Sequence, residues 1–306
     1  MDPRWRRRKK SVVGSKFGFR GFVYLLLGLG LMALLPIFFF YSRLNQEGSK
    51  ECEWIEKPPL VCAHGGDTSR APPNTLVAYK LALDAGVDCM EIDSSQTKDG
   101  VLVALHDREL NDMANTSGLR VGDLTFEQFQ IQELNAARGF PDEFQGQKVP
   151  SLENALRYVS RFLKHVVVDV KVGPSLRAKD LAAEIKSTVD RTHCRNCIVW
   201  SKVDDVVRSY KRESQAWAGY IVMDTQKMRK PLRISSATVV GVFHGLIDKR
   251  MVSTIHKADK VVYAWTVNEE ADMLKMLHHA VDCIITSQPR LLQQVMERER
   301  SSCQFI

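Results

Sequence analysis

The sequence has no internal repeat, no low-complexity tract and no excess of either charge beyond its first 20 residues. The absence of repeats excludes solenoid and fibrous architectures. The net charge of +7 comes from the N-terminal tail, where eight arginines and lysines accompany a single aspartate. Because the remaining chain is balanced, its composition does not indicate a nucleic-acid-binding surface. A globular domain that carries a basic tail is the expected class.

Cysteine is present, but not in a pattern that holds zinc. Cys194 and Cys197 are separated by two residues and preceded by His193, and no second pair of ligands follows at zinc-type spacing. We predict either a loop disulfide or two free thiols for this pair. The seven cysteines are an odd number, so at least one thiol is left over if the domain lies in an oxidising compartment.

One long apolar run lies close to the N-terminus. Residues 22–41 form a stretch of 20 residues without a charge, which matches the roughly 20 residues needed to cross the hydrocarbon core of a membrane. We predict a transmembrane signal anchor, with a buried core helix or a cleaved signal peptide as alternatives. Lys and Arg concentrate on the cytoplasmic side of such spans. The basic tail, residues 1–21, is therefore predicted to be cytosolic and the rest lumenal or extracellular.

A polar stretch separates the apolar run from the folded domain. Residues 42–59 contain a glycine and end with two prolines, and they are interpreted as a stalk. The domain itself is predicted over residues 60–300. Asn115 begins an Asn-Thr-Ser sequon, so we expect a glycan there in a lumenal domain.

Short apolar runs alternate with helical patterns throughout the domain. Eight strands are predicted, at residues 60–63, 89–93, 166–171, 198–200, 220–223, 238–243, 261–265 and 282–286. Helices are predicted near residues 75–85, 152–163, 176–191, 203–211 and 269–277. This alternation predicts an α/β fold, a (β/α)8 TIM barrel. A β-hairpin is expected after the second strand, whereas residues 125–150 fit the alternation less cleanly.

Two histidines and two carboxylates lie close together in the sequence. Asp99-Gly100 is a strong signal for a two-residue type I′ turn, which needs positive φ at both central positions. A hairpin centred there places His106 opposite Asp93, while strand alternation places Glu91 on the same face as Asp93. We therefore predict that two carboxylates and an imidazole converge.

Five short motifs follow one another through this segment. They are His64-Gly65-Gly66, Pro73-Asn74-Thr75, Glu91-Ile92-Asp93, Thr97-Lys98-Asp99-Gly100 and His106-Asp107. This series resembles the glycerophosphodiester phosphodiesterase family, whose pattern is His-Arg-Gly, Pro-Glu-Asn-Thr, Glu-x-Asp, Thr-x-Asp-Gly and His-Asp. Later matches extend the resemblance to nearly everything after the N-terminal segment, at residues 168–171, 264–268 and 282–286. The chain resembles a membrane-anchored member with His-Gly-Gly in place of His-Arg-Gly, and the glutamate before Asn74 is missing. The resemblance also implies that residues 125–150 are a small insertion after the hairpin.

Carboxylates at strand ends indicate a divalent cation. Glu91 and Asp93 lie two residues apart on one strand face, and Asp169 adds an oxygen ligand from another strand end. Oxygen ligands favour hard cations, so Mg²⁺ or Ca²⁺ is the expected cofactor. The alternative is that these are polar residues at strand ends that hold no metal. The resemblance also implies a metal-binding carboxylate at position 169.

His64 and His106 are the predicted proton carriers, because catalytic groups of this fold gather at the C-terminal rim of the barrel. The resemblance implies that they act as general acid and base, in either order. Lys171 is expected to neutralise a phosphate oxygen, or else to form a salt bridge with Asp169. The resemblance implies that Trp265 lines the glycerol or lipid side of the pocket, with a core aromatic as the alternative.

Phosphodiester hydrolysis needs positive charge at the phosphate oxygens and proton transfer at both apical positions, and the candidate residues provide both. The resemblance implies metal-dependent hydrolysis of glycerophosphodiesters to glycerol 3-phosphate and an alcohol. A lysophospholipase D is one alternative, because a membrane anchor holds the pocket close to lipid. Another is a catalytically weak, membrane-anchored binding protein that retains the barrel, because Gly65 leaves no bidentate arginine clamp on the phosphate.

Overall fold

Eight parallel strands form a closed barrel in a computed structural model of this chain. The structure describes residues 52–106, 118–131, 144, 147–173, 176–224 and 232–303, together with positions 24, 32, 34–36, 38 and 40. The strands are β1 (Leu60–His64), β2 (Cys89–Gln96), β3 (Leu102–Val103), β4 (His165–Val170), β5 (Cys197–Ser201), β6 (Ala218–Val222), β7 (Val239–Phe243), β8 (Val261–Trp265) and β9 (Cys283–Thr286). Each strand of the barrel pairs in parallel with its neighbour, and β9 returns to pair with β1. The eight predicted strands and the TIM barrel are confirmed.

Helices cover the outside of the barrel between the strands. Those in the described part of the chain are α1 (Leu76–Asp84), α2 (Phe126–Ile131), α3 (Leu152–Val159), α4 (Ala178–Thr192), α5 (Asp204–Glu213), α6 (Lys249–His256), α7 (Glu270–His278) and α8 (Pro289–Cys303). Short 3₁₀ helices span Glu53–Ile55, Val121–Asp123, Ser160–Phe162 and His244–Leu246. The five predicted helices are confirmed.

Several helices start at side chains that satisfy otherwise unpaired amides of the first turn. Thr75 precedes α1 in an extended conformation, and its hydroxyl accepts a hydrogen bond from the amide of Ala78. Ser151 and Asp248 cap α3 and α6 in the same way. These caps fix the residue at which each loop ends and its helix begins.

The strands are buried on both faces, as parallel strands covered by helices require. Side chains that alternate outward join the large core beneath the helices. Those that alternate inward fill the barrel: Cys62, Cys89, Val167, Ile198, Trp200, Ile221, Val239, Tyr263, Cys283 and Ile285. This apolar filling closes the barrel below the polar residues at its C-terminal end.

The hairpin after β2 differs from the predicted one by one residue. Its register pairs Ser95 with Val103, so the level of Asp93 is that of Leu105 rather than that of His106. The turn is also not of type I′, because Gly100 has φ +89° while Asp99 has no positive φ. The amide of Gly100 donates to the carbonyl of Thr97, and a longer loop therefore replaces the two-residue turn.

The insertion after the hairpin has a small core of its own. Residues 118–131 and 147–150 are described there, and they include α2 and the 3₁₀ helix Val121–Asp123. The buried side chains of this cluster are Val103, Leu105, Val121, Leu124, Phe129 and Val149. The hairpin and the insertion thus pack together beside the barrel mouth.

Three disulfides join six of the seven cysteines. Cys194 pairs with Cys197, which is one of the two alternatives predicted for them. Cys52 pairs with Cys303, and Cys62 pairs with Cys89 between the neighbouring strands β1 and β2. Cys283 is a buried free thiol.

The residues from Glu51 onward form one compact unit, which contains the barrel. The predicted signal anchor at residues 22–41 lies for the most part outside the described residues. Among the residues that are described, no helix has both the length and the apolar character needed to cross a membrane.

Candidate active site

Neighbouring strands bring three carboxylates together at the C-terminal end of the barrel. Glu91 and Asp93 alternate to the same face of β2, and Asp93 is the direct register partner of Asp169 on β4. All three are buried, and each offers an oxygen within 4.8 Å of the others. The structure thus brings together the residues predicted as metal ligands.

The Pro-Asn-Thr motif supports this cluster from the loop after β1. The Asn74 side-chain amide donates to Asp93 Oδ2 at 2.7 Å, and Asn74 Oδ1 accepts from the backbone amide of Asp93 at 3.2 Å. The hydroxyl of Tyr79, on α1, donates to the same Asn74 oxygen at 3.1 Å. Asn74 has φ +58°, a left-handed conformation that asparagine adopts more readily than most residues. It therefore fixes the orientation of Asp93.

Lys171 lies among the carboxylates, directly after β4. Its Nζ is 2.5 Å from Asp169 Oδ2 and 2.7 Å from Asp93 Oδ1. The salt bridge to Asp169, which was the alternative predicted for Lys171, is therefore present. Lys171 also lines the cavity, so the salt bridge is compatible with a contact to substrate. The lysine balances two buried charges that would otherwise repel each other.

Burial and the neighbouring charges set the ionisation of this cluster. Burial raises the pKa of the Glu91 carboxyl well above its usual range, and the charges of Asp93 and Asp169 add to the effect. Burial also raises the pKa of Asp169, against the opposing charges of Lys171 and Lys202. For Asp93, burial is outweighed by Lys171 and the two histidines, so its pKa is lowered. Lys171 is held protonated, because the carboxylates outweigh burial and raise its pKa.

The carboxylate cluster fits a hard divalent cation. Glu91 Oε2 and Asp169 Oδ1 are buried and accept no hydrogen bond from the described residues. Carboxylate oxygens buried without a donor are unfavourable, and coordination to a cation is one way of satisfying them. An all-oxygen ligand set of this kind suits Mg²⁺ or Ca²⁺.

His64 and His106 lie on the same cavity, which has a volume of about 180 Å³. His64 ends β1 as the register partner of Glu91, and its Nε2 is 3.9 Å from Glu91 Oε2. Its Nδ1 is 3.5 Å from the hydroxyl of Ser287. Burial lowers the pKa of His64, against the attraction of Asp93. The structure thus brings both predicted proton carriers to the carboxylate cluster, although not through the hairpin register that the sequence suggested.

The other side of the cavity is apolar. Trp200, Ile221, Trp265 and Ile285 form this wall, which β5, β6, β8 and β9 supply. Trp265 packs edge-on against Phe243 at a centroid distance of 5.9 Å. The predicted position of Trp265 in the pocket is therefore what the structure shows, while the part of a substrate that it contacts stays a prediction.

Lys202 is a pocket residue that the sequence did not point to. It directly follows β5, and its Nζ lies 5.7 Å from the centroid of the Trp265 ring. Nothing in the sequence around it distinguishes it from the chain's other lysines. The sequence feature that could have indicated a role for Lys202 is its position directly after a barrel strand, because residues there face the active site of this fold.

Gly65 follows His64 in the first of the five motifs, at the position where the pattern that the sequence resembles has arginine. It has φ +64°, a conformation that side chains other than glycine rarely adopt. Its amide donates to the carbonyl of Glu91 at 3.0 Å, and its carbonyl accepts from the amide of Asn74 at 2.8 Å. This short loop therefore ties β1 to β2 and to Asn74.

A second cavity of about 300 Å³ adjoins the first and shares Lys171 with it. Ser95, Gln96 and Thr97 of the hairpin line one side, and the 3₁₀ helix Val121–Asp123 lines another. Two residues predicted from the sequence, Asp107 and Asn115, lie outside the described residues.

Comparison with known proteins identifies the family. The model of the glycerophosphoryl diester phosphodiesterase family matches residues 64–291. A glycerophosphodiester phosphodiesterase of Arabidopsis thaliana is 40% identical over 302 residues, which are 97% of this chain and 92% of that protein. A glycerophosphodiester phosphodiesterase of Caldanaerobacter subterraneus is 27% identical, over 78% of this chain and 98% of that protein. The chain belongs to the glycerophosphoryl diester phosphodiesterase family.

Solved structures agree with the fold. A putative glycerophosphoryl diester phosphodiesterase from Silicibacter pomeroyi superposes with a TM-score of 0.71 at 23% identity, over 82% of this chain and 98% of that one. A phosphodiesterase from Oleispira antarctica, in complex with the product sn-glycerol-3-phosphate, gives a TM-score of 0.70 at 23% identity. That match covers 78% of this chain and 97% of the other.

Proposed function

We propose that this protein hydrolyses glycerophosphodiesters to glycerol 3-phosphate and an alcohol, with a divalent cation as cofactor. The observation that carries the proposal is the buried carboxylate cluster around Lys171, which shares one cavity with His64 and His106. Family membership supports the reaction type. The product bound to the related Oleispira antarctica enzyme supports the substrate class.

The residues of the cavity divide the work of the reaction. One of the two imidazoles takes a proton from the attacking water, and the other gives a proton to the departing alcohol oxygen. Lys171 and Asn74 hold Asp93 in place, through the 2.7 Å contacts that each makes with its carboxylate. When bound by the three carboxylates, a divalent cation would neutralise the charge that builds up on the phosphate oxygens.

Release of glycerol 3-phosphate from glycerophosphocholine by the purified full-length protein tests the proposal. We expect release in the presence of Mg²⁺ or Ca²⁺, loss of activity in excess chelator, and recovery when the cation is restored. Titration with each cation separately identifies the preferred metal. Binding of glycerol 3-phosphate without turnover of any glycerophosphodiester would instead identify a catalytically weak binding protein that retains the barrel.

A lysophospholipase D activity is the second candidate, and the apolar wall around Trp265 favours it. Trp200, Ile221 and Ile285 give this side of the cavity no side-chain carboxylate, which suits an acyl chain as well as a glycerol carbon chain. A parallel assay with lysophosphatidylcholine, which follows release of choline, compares the two substrates. Faster turnover of lysophosphatidylcholine at equal concentration would favour the lipid activity.

We further propose that residues 22–41 anchor the protein in a membrane, with the basic tail cytosolic and the barrel lumenal or extracellular. The uncharged run of 20 residues and the eight basic residues before it support this topology. Disulfides such as Cys52–Cys303 are consistent with an oxidising compartment. We expect glycosidase treatment to change the mobility of the wild type but not of Asn115→Gln. Protection of the N-terminal tail from protease in sealed vesicles, with digestion of the barrel, would show the opposite orientation.

A further inference from the structure

Lys202 is a second ammonium group at the cavity, and it directly follows β5, the strand that pairs with β4. It is exposed and lies over the face of Trp265, which is a favourable position for a cation near an aromatic ring. In the described part of the chain, no carboxylate forms an ion pair with it. Its charge reaches Asp169 only through space, so no described carboxylate holds its ammonium away from the cavity.

The carboxylate cluster has no positive charge left over for the phosphate of a substrate. The ammonium of Lys171 is engaged by Asp93 and Asp169, so it compensates protein charge before any substrate arrives. With a divalent cation bound, all three carboxylates would be ionised, and their charges would be balanced by the ammonium and the cation. The set is then neutral, whereas a phosphodiester carries one negative charge and gains another toward the transition state. The substrate needs positive charge from outside this set.

Gly65 also supplies no positive charge to the phosphate, because glycine has no side chain. An arginine there would hold two phosphate oxygens through parallel N–H···O bonds. In this chain the position has no side chain, and its φ of +64° holds the loop in a conformation that suits glycine. Among the described residues that line the cavity, Lys202 is the cation that no carboxylate pairs with.

We propose that Lys202 binds a phosphate oxygen of the substrate and supplies the positive charge that the missing arginine would provide. This inference rests on the proposed phosphodiesterase function. Lys202 follows β5 and Gly65 follows β1, so the charge approaches the phosphate from another side of the barrel mouth. An ammonium is a point charge without the fixed fork of a guanidinium, so it favours anionic phosphate without fixing its rotation. The same group should hold the dianionic product, glycerol 3-phosphate.

The test compares Lys202→Met and Lys202→Arg in the full-length protein with Lys164→Met as the matched control. Methionine keeps most of the length of lysine and removes its charge. Lys164 is exposed and precedes β4, at the end of the barrel away from the cavity. The measurements are KM and kcat for glycerophosphocholine at saturating cation, and the inhibition constant of glycerol 3-phosphate.

We expect Lys202→Met to raise both KM and the inhibition constant about tenfold, which corresponds to about 1.4 kcal/mol. Lys202→Arg should recover most of the loss, because it restores the charge. The melting temperature should stay at the wild-type value, since Lys202 forms no ion pair with a protein carboxylate among the described residues. Lys164→Met should leave KM, kcat and the inhibition constant at the wild-type values, because its ion pair with Asp88 lies away from the cavity.

An unchanged KM and inhibition constant in Lys202→Met would overturn the inference while the phosphodiesterase function stood. A loss that tracks a lower melting temperature, or that arginine does not recover, would overturn it by indicating a structural role. If the wild type hydrolyses no glycerophosphodiester, the proposed function fails instead. Calorimetric titration of glycerol 3-phosphate into the wild type and Lys202→Met then tests whether Lys202 binds phosphate. Equal affinities of the two proteins would overturn the inference about Lys202.

Discussion

The two sides of the barrel mouth differ in how tightly their side chains are held. On the side of β1, β2 and β4, buried charged groups are fixed by one another, as the contacts of Lys171 with Asp93 and Asp169 show. On the side of β5, β6, β8 and β9, the cavity is lined by Trp200, Trp265 and isoleucines, and its charge is the exposed Lys202. Buried charges tolerate little change because each compensates another. An apolar wall depends on shape, so we expect the first side to set the chemistry and the second to tune the substrate.

Asp93→Asn should have the largest effect. The change removes a charge from the cation site and from Lys171 while leaving the side-chain volume nearly unchanged. We expect turnover to fall on the order of 10³-fold or more, which is about 4 kcal/mol of transition-state stabilisation. Steady-state turnover of glycerophosphocholine, measured at several cation concentrations, checks this prediction.

The control for Asp93→Asn is Asp180→Asn, which removes a carboxylate charge from the exposed surface of α4. It should retain wild-type turnover. Circular dichroism should show that both variants are folded. Near-normal turnover of Asp93→Asn, or full wild-type activity in excess chelator, would contradict a catalytic cation in this cluster.

The barrel and the carboxylate cluster were predictable from the sequence because both depend on local patterns. Parallel strands read as short apolar runs, and the spacing of Glu91 and Asp93 by two residues places them on one face. The hairpin register was wrong because an Asp-Gly pair favours a two-residue turn, whereas only Gly100 of that pair has positive φ here. The sequence of the hairpin does not show which backbone conformation Asp99 adopts, so it could not predict the pairing of Ser95 with Val103.

Contacts between distant residues were not predictable from pattern. Asn74 reaches Asp93 across 19 residues of sequence, and this depends on how the loop after β1 folds back over β2. Lys202 meets Trp265 from a strand three places away in the barrel order. Both contacts require the closed barrel, so local patterns could predict the ligands of the site but not the residues that position or complete it.

Asn74→Gly should have the next largest effect, because it removes the support of Asp93 without straining the left-handed backbone at φ +58°. Side chains that orient a metal ligand are worth roughly 10- to 100-fold in metal affinity. We expect a loss in that range, measured by titrating the cation against turnover. Asn74→Ala should add a loss of stability, because alanine disfavours this φ. Equal cation affinity in the wild type and Asn74→Gly would show that Asp93 keeps its orientation without Asn74.

Substitutions of Gly65 should have a smaller effect, which lowers the stability of the fold rather than the turnover. Because the residue has φ +64°, a side chain here is strained. We expect Gly65→Ala to destabilise the fold by about 1 kcal/mol. Gly65→Arg should be destabilised by a similar amount and should not gain activity, although it restores the arginine of the family motif. Thermal unfolding of both variants, with turnover of each, checks this. Higher activity in Gly65→Arg than in the wild type would show that the loop accepts a side chain and that the missing arginine limits the rate.

Trp265→Phe should have the smallest effect, because it keeps an aromatic face on the apolar side of the cavity and leaves the charged side untouched. Aromatic contacts and a cation over the ring are each worth about 0.5–1 kcal/mol. We therefore expect a two- to fivefold rise in KM, with kcat nearly unchanged, in steady-state assays of glycerophosphocholine and lysophosphatidylcholine. Trp217→Phe is the matched control, since Trp217 stacks on His165 at the other end of the barrel, at a centroid distance of 5.3 Å.

The comparison of the two substrates decides what the apolar wall recognises. If it holds the glycerol carbons, Trp265→Phe should affect both substrates equally, because both contain glycerol. If it holds an acyl chain, the rise in KM should be larger for lysophosphatidylcholine, because only that substrate buries more apolar surface against the ring. A large fall in kcat with unchanged KM would contradict the division of the cavity, because it would place Trp265 among the groups that act only in the transition state.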